Sequence, residues 1–174
     1  TRGVWKAPAN VQILGVKPPL ESAWMDGNTE LNDSVNGKDI NLIRHIAGKG
    51  TTVWGARTLA GNDLNWRYVP VKRLMMMLAD TLKQATAYAV FEPNTANIWK
   101  GVETMCANFL DGLWRQGAFL GSKPADAYRV RVGLGQTMSA DDVLNGIMRV
   151  EIAVAPVRPA EFVVLQFSHF IQPN

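Results

Sequence analysis

The sequence has few of the residues that build disulfide frameworks or metal sites. Of its 174 residues one is a cysteine, Cys106, and two are histidines, His45 and His169. A single cysteine excludes an internal disulfide and is typical of proteins made in a reducing compartment. A metal site needs several donors at close spacing, and neither histidine has such a neighbour. We therefore expect no metal and no cofactor, and interpret Cys106 as a buried thiol on an apolar helix face.

Runs of basic residues and long apolar stretches are also absent. Lysine and arginine number 18 against 15 acidic residues, but they are scattered along the chain. Nucleic-acid-binding proteins more often cluster them on one stripe, so we expect no nucleic-acid partner. No apolar stretch approaches the roughly 18 residues of a membrane-spanning helix, and residues 1–6 are too polar for a signal peptide. We expect no membrane insertion, and the missing initiator methionine predicts a piece of a longer protein.

No group of side chains in the sequence combines an acid, a base and a nucleophile. Asp141 and Asp142 follow Ser139 at the start of a short predicted helix, where they serve as capping residues. Residues 133–137 lack the third glycine and the lysine of a phosphate-binding loop. We predict that the protein is not an enzyme and has no catalytic residue. The alternatives are an α/β enzyme or ligand-binding domain with an unrecognised site, and an unrelated oligomeric scaffold.

Apolar residues make up 47% of the chain, and their periodicity predicts two main helices. The first begins at Pro70, a favoured first helical residue, and extends to Tyr88. The second covers 95–116, with Asn94 as its predicted N-cap. The expected core positions on the two helices are Leu74, Leu78, Leu82, Val102, Met105 and Phe109.

Short strands separated by glycine and proline turns surround the helices. They are predicted at 11–16, 39–46, 51–56, 66–69, 89–92, 126–133, 146–154 and 161–170. This order predicts an α/β (α+β) fold in which a small mixed β-sheet is packed by the two main helices. The first 37 residues are rich in loops and need a surface to lie against.

The last predicted strand has two apolar faces. It runs through Glu161, Phe162, Val163, Val164, Leu165, Gln166 and Phe167 to Phe170, and Glu161 is its only charge. An outermost strand of a soluble monomer normally carries charge or proline as protection against pairing with other chains. Either this strand is central in the sheet or it pairs with another subunit. The prolines at 156 and 159 before it make donation to a neighbour physically easy.

Several segments together resemble the C-terminal region of contractile tail sheath proteins. They are RGVWKAPA at 2–9, VWGARTL at 53–59, YVPVKRL at 68–74, VFEPN at 90–94, LWRQGA at 113–118 and APVRPAEF at 155–162. They occur in the family's order and spread over nearly the whole chain, and WGARTL and FEPN are the specific strings. The family is shared by myophages, contractile bacteriocins and extracellular injection systems.

The resemblance implies a structural subunit that polymerises helically around an inner tube and contracts to drive the tube through a target envelope. Terminal arms of neighbouring subunits would exchange strands. The implied partners are other copies of the chain, the inner tube protein, and baseplate and tail terminator components. The implied location is the cytoplasm of the producing bacterium during assembly, then a virion tail or an extracellular contractile particle.

The resemblance also implies roles for segments and residues. Residues 1–37 would form the base of one arm, 38–160 the conserved core domain, and 161–174 the other arm, whose strand-exchanging residues are 161–167. A tube-facing surface should be basic, because screened charge contacts are easier to break than an apolar seal. The candidates are Lys72, Arg73, Lys83, Lys100 and Arg115. Trp54, Arg57 and Glu92 are expected to serve structure, with Arg57 and Glu92 joined by an ion pair or held by backbone hydrogen bonds.

Overall fold

The chain folds into two long helices, short helical turns and two small sheets. The computed structural model describes residues 3–17, 39–61 and 63–161. In chain order the elements are β1 (Val11–Gln12), β2 (Leu42–Ile46), β3 (Gly50–Trp54), α1 (Val69–Ala85), a 3₁₀ helix (Thr86–Ala89), α2 (Ala96–Arg115), α3 (Pro124–Ala127), β4 (Tyr128–Arg131), α4 (Ala140–Leu144) and β5 (Glu151–Val154).

Helix α1 begins where the sequence predicts a helix start. Pro70 lies in its first turn, where a backbone N–H would have no helical partner. The apolar stripe is buried, as its spacing predicted, at Leu74, Leu78 and Leu82. The α-helix ends at Ala85, and the 3₁₀ helix replaces the predicted last turn to Tyr88.

Helix α2 buries a slightly different stripe from the predicted one. Its buried side chains are Val102, Cys106, Leu110 and Leu113. Met105 and Phe109, both expected in the core, lie half-buried on the flank of this stripe. Apolar residues cover more than half of the circumference, so their spacing does not distinguish the central row from its flank. The N-cap is Thr95, whereas the Asn94 side chain accepts a 2.7 Å hydrogen bond from Nε1 of Trp99.

Strands β4 and β5 form an antiparallel pair that lies against α2. Val130 is opposite Ile152, and both side chains pack against the core formed by α1 and α2. The main core of the described residues therefore lies between the two long helices and this two-stranded sheet.

Strands β1, β3 and β2 form a second antiparallel sheet, with β3 in the middle. No residue of these strands belongs to the main core, although Leu42 and Thr52 are buried locally. The predicted pairing of strands around the glycine turn at 48–50 is confirmed. The α+β class is confirmed as well. The single mixed sheet that the sequence predicted is, within the described residues, two small antiparallel sheets instead.

Two predicted strands are not strands. Residues 89–92 form a turn in which Val90 and Phe91 are exposed, and Phe91 has a φ of 70°. Among the residues that the structure describes, residues 66–69 contribute one bridge, between Tyr68 and Arg57. Each run has high β propensity but is followed or interrupted by a proline, which limits ladder formation. The predicted final strand lies outside the described residues beyond Glu161.

Candidate assembly interface

The three-stranded sheet presents backbone edges on both sides. Strands β1 and β2 are its outer strands, and within residues 3–17, 39–61 and 63–161 neither pairs with a further strand. Val11, Val53 and Ile43 lie side by side on one face, and Val11 and Ile43 are 45% and 48% exposed. An unpaired edge flanked by apolar side chains is the arrangement that accepts a strand from another chain.

A buried arginine connects the start of this sheet to the end of the described chain. The Arg57 side chain is 6% exposed. Its Nε donates to both carboxylate oxygens of Glu161, at 3.0 and 3.1 Å, and its Nη2 donates to Oε2 at 2.6 Å. Its Nη1 donates to Oδ1 of Asp39 at 3.1 Å. One guanidinium therefore holds together the chain that enters β2 and the chain that reaches residue 161.

The backbone of Arg57 is fixed on two sides. Its N–H donates to Oδ1 of Asn41 at 2.8 Å, and Nδ2 of Asn41 donates to its carbonyl oxygen at 2.7 Å. An antiparallel bridge joins it to Tyr68, whose hydroxyl donates to Oε2 of Glu161 at 3.4 Å. The main chain thus orients the guanidinium toward its two carboxylates.

Direct contact with two carboxylates offsets the burial of the Arg57 charge. The hydrogen bonds to Glu161, and then those to Asp39, raise the pKa of Arg57 above its ordinary value, although burial acts in the opposite direction. Oδ2 of Asp39 is buried and has no hydrogen-bond partner among the described residues. Because a buried carboxylate without a cation is strongly destabilising, removal of Arg57 is expected to weaken the whole cluster.

The predicted ion pair between Arg57 and Glu92 is wrong. Glu92 is exposed in the turn before α2, and within the described residues Arg57 contacts the carboxylates of Asp39 and Glu161. Sequence reasoning missed Asp39, whose only signal was an acidic residue at the start of a predicted strand. Trp54 is 37% exposed, and the guanidinium of Arg44 lies 5.6 Å from its ring centroid.

The basic candidates on the two long helices differ in their contacts. On α2, Nζ of Lys100 is 2.8 Å from Glu103 and Nε of Arg115 is 2.6 Å from Asp111. On α1, Nζ of Lys72 lies 4.5 Å from the ring centroid of Trp66. Within the described part of the chain, Arg73 and Lys83 are exposed and make no ion pair or ring contact.

Reactive and metal-binding side chains are not grouped together in the described residues. They contain no group of three histidine, cysteine or acidic side chains placed to hold a metal ion. Two surface grooves, one along α2 and one beside Trp66 and Pro156, contain no carboxylate, histidine or cysteine. Burial raises the pKa of the Cys106 thiol, which disfavours the reactive thiolate. Neither α1, α2 nor any shorter helix of the described residues has the length and hydropathy of a membrane-spanning segment.

A family model for the phage tail sheath C-terminal domain matches residues 62–169. This chain belongs to that family. The sheath domain is also similar to solved structures, with 45% sequence identity in each of three cases. They are the anti-feeding prophage baseplate (TM-score 0.87), the sheath complex of the PVC extracellular contractile injection system in its contracted state (0.87) and the contracted helical sheath of the anti-feeding prophage (0.84).

These matches cover nearly all of the sheath domain and part of each relative. They include 98%, 97% and 96% of this chain, in the same order, and 46% of the matched chain in each case. The sheath domain thus spans about half the length of the proteins that it resembles. No curated protein sequence matched it.

Proposed function

We propose that this chain is the C-terminal assembly domain of a contractile tail sheath subunit. The subunit polymerises helically around an inner tube and contracts to drive the tube through a target envelope. It is a structural protein with no catalytic step. The family match and the similarity to sheath and baseplate structures support this role. No comparison supports an enzyme or an unrelated scaffold.

The three-stranded sheet is the observation that carries the proposal. Its β2 edge offers five residues to an incoming strand, whereas β1 offers two. The sheet lies outside the main core, so a strand from a neighbour can add to it without repacking the helices. Main-chain hydrogen bonds then supply affinity, and apolar side chains such as Ile43 supply contact area.

The donated strand is proposed to be residues 161–167. Both of its faces are apolar, so it needs neighbours above and below as well as beside it. Glu161 lies at its start, in the cluster around Arg57. In this division of the chain, residues 1–37 are the base of one arm, 38–160 the core domain and 161–174 the other arm. Residues 3–17 lie on the core domain, since Trp5 packs against the main core and β1 pairs with β3.

Helix α1 is the proposed tube-facing helix. Its exposed Arg73 and Lys83 have no carboxylate partner within the described residues, whereas Lys100 and Arg115 on α2 are each neutralised by an acid of the same helix. Charges without a partner attract an acidic tube surface, and screened contacts of this kind are readily broken when the sheath moves. The further proposed partners are the inner tube protein, the baseplate and the tail terminator.

Contraction is proposed to draw on the difference between two lattices of the same domain. Each subunit need supply only a few kcal/mol, since two packed states of one element commonly differ by about that much. No nucleotide or cofactor enters the process. Assembly takes place in the cytoplasm of the producing bacterium, and the product is a virion tail or an extracellular contractile particle.

The test is assembly of the protein with and without its C-terminal segment. Purified protein should form tubes visible by electron microscopy and sedimenting as long polymers. Truncation after Pro159 should leave a soluble domain that does not polymerise, because the lost strand leaves backbone groups of a neighbour unsatisfied. Long tubes from the truncated protein would show that the C-terminal segment does not join the subunits.

A further inference from the structure

The end of the described chain is held at two successive points. First, Leu120 N–H donates to Ala155 O at 2.7 Å and Val157 N–H donates to Ala118 O at 3.1 Å, so this stretch runs alongside the segment after α2. Second, the Glu161 carboxylate accepts hydrogen bonds from Nε and Nη2 of Arg57. Pro159 restricts the backbone between the two points. The path of the chain up to residue 161 is therefore determined.

Arg57 connects this path to the three-stranded sheet. The same guanidinium binds Asp39, three residues before β2, and so sets the distance between the chain entering that edge strand and the chain arriving at Glu161. Side chains of a strand alternate between faces, so a shift of one residue in its starting point turns every side chain to the opposite face. The starting point of an exchanged strand thus needs to be defined by a fixed contact.

We propose that Arg57 is the positioning residue that sets where, and in which register, the segment beginning at Glu161 leaves the domain to join a neighbouring sheet. This inference rests on the strand exchange of the proposed function. The fork of Nε and Nη2 fixes both the distance and the direction of the Glu161 carboxylate. A lysine carries the same charge but no fork, so it holds the carboxylate without orienting it. Mutation can therefore change the hydrogen-bonding geometry at position 57 while keeping its positive charge.

The test compares Arg57→Lys and Glu161→Gln with a matched control. Both variants keep a hydrogen-bonding group beside Asp39 or Arg57, so the domain retains its core. The control is Arg149→Gln, which breaks a surface ion pair at 3.0 Å with Asp142. Two quantities are measured for each protein: the critical concentration for tube formation by sedimentation, and the thermal midpoint of the unassembled protein. If Arg57 positions the segment, the variants change the critical concentration more than the thermal midpoint. If Arg57 is purely structural, the two quantities change together.

We expect Arg57→Lys and Glu161→Gln to raise the critical concentration about tenfold or more, as loss of a charged hydrogen bond would. Glu161→Asp, which keeps the charge on a shorter side chain, should lie between them and wild type. Arg149→Gln should leave the critical concentration within about twofold of wild type. The thermal midpoints of the Glu161 variants should fall only modestly, because Asp39 still pairs with the buried Arg57 guanidinium, and by less than the assembly defect would require if both had the same cause.

Two results would overturn the inference. In one, the Arg57 and Glu161 variants assemble at the wild-type concentration while the protein truncated after Pro159 does not, so strand exchange stands without a role for Arg57. In the other, critical concentration and thermal midpoint change in proportion, so Arg57 contributes only to stability. Normal assembly of the truncated protein is a separate result, which removes the strand exchange itself.

Discussion

At the scale of single residues, Phe91 occupies a backbone conformation that suits glycine or asparagine better than phenylalanine. Its φ is 70° and its side chain is fully exposed, so no burial offsets the strain. We expect Phe91→Asn to raise the free energy of unfolding by about 0.5–1 kcal/mol, because asparagine adopts the left-handed backbone conformation at a lower cost than phenylalanine. Urea unfolding measures the change. Phe91→Ala is the control, because it removes the ring and keeps the strain; equal stability of the two variants would contradict the explanation.

Neighbouring positions on α2 should differ in their contribution to stability. Leu110 is fully buried and Phe109 lies half-buried on its flank. We expect Leu110→Ala to lower the free energy of unfolding by about 2–5 kcal/mol, since it leaves a cavity in the core. Phe109→Ala, where solvent or neighbouring side chains can fill the space, should cost less in the same denaturant titration. A larger loss of unfolding free energy for Phe109→Ala than for Leu110→Ala would support the buried stripe that the sequence predicted.

At the scale of elements, α4 depends on a cluster of polar groups at its start. Ser139 and Asp142 form a reciprocal capping box, and Nη2 of Arg149 donates to Asp142 at 3.0 Å. The hydrogen bond from Arg149, followed by those from Ser139, lowers the pKa of Asp142 from 3.8 to about 2. Because the pKa is lowered in the folded state, this stabilisation is complete above the unfolded pKa and is lost as pH falls through about 2.

We therefore expect a specific pH dependence for the Asp142→Asn variant. Above pH 5 its thermal midpoint should lie below that of wild type, and the difference should shrink between about pH 4 and pH 2 as wild-type Asp142 takes up its proton. Arg149→Gln should show a smaller difference over the same range, because the Ser139 hydrogen bonds remain. A difference between Asp142→Asn and wild type that is constant down to pH 2 would contradict this assignment.

The elements that the sequence predicted well are those with long, local patterns. Helix α1 extends over 17 residues and α2 over 20, and their 3.6-residue periodicity and the Pro70 start are readable without tertiary information. Short strands were predicted less well, since residues 89–92 have strand-like composition but pair with no other strand of the described residues. The contacts of Arg57 span 18 and 104 residues to Asp39 and Glu161. No local pattern encodes such distances, and so the sequence located the arginine but assigned it the wrong acid.

At the scale of the whole molecule, the basic residues of α1 that have no acidic partner within residues 3–17, 39–61 and 63–161 form the surface that we propose faces an inner tube. Arg73→Glu combined with Lys83→Glu should weaken co-sedimentation of the assembled sheath with its tube. The effect should be largest at low salt, because exposed charge contacts are screened at high ionic strength. The matched control is Lys100→Glu with Arg115→Glu on α2, which should leave co-sedimentation less affected. Loss of tube binding only in the α2 double variant would assign the tube-facing surface to α2 instead.

The separation between the three-stranded sheet and the main core has a consequence for how the molecule carries mechanical load. A sheet that its own core does not support should open locally more often than the helices, so its amide protons should exchange with deuterium faster in the free subunit. The proposed strand donation by neighbours should slow that exchange. In such a polymer, force would pass through the linked sheets, and the core between α1, α2 and the β4–β5 pair would move as one unit. The sheath would then consist of stiff helical cores connected by flexible sheets, and its helical pitch could change without unfolding of the cores.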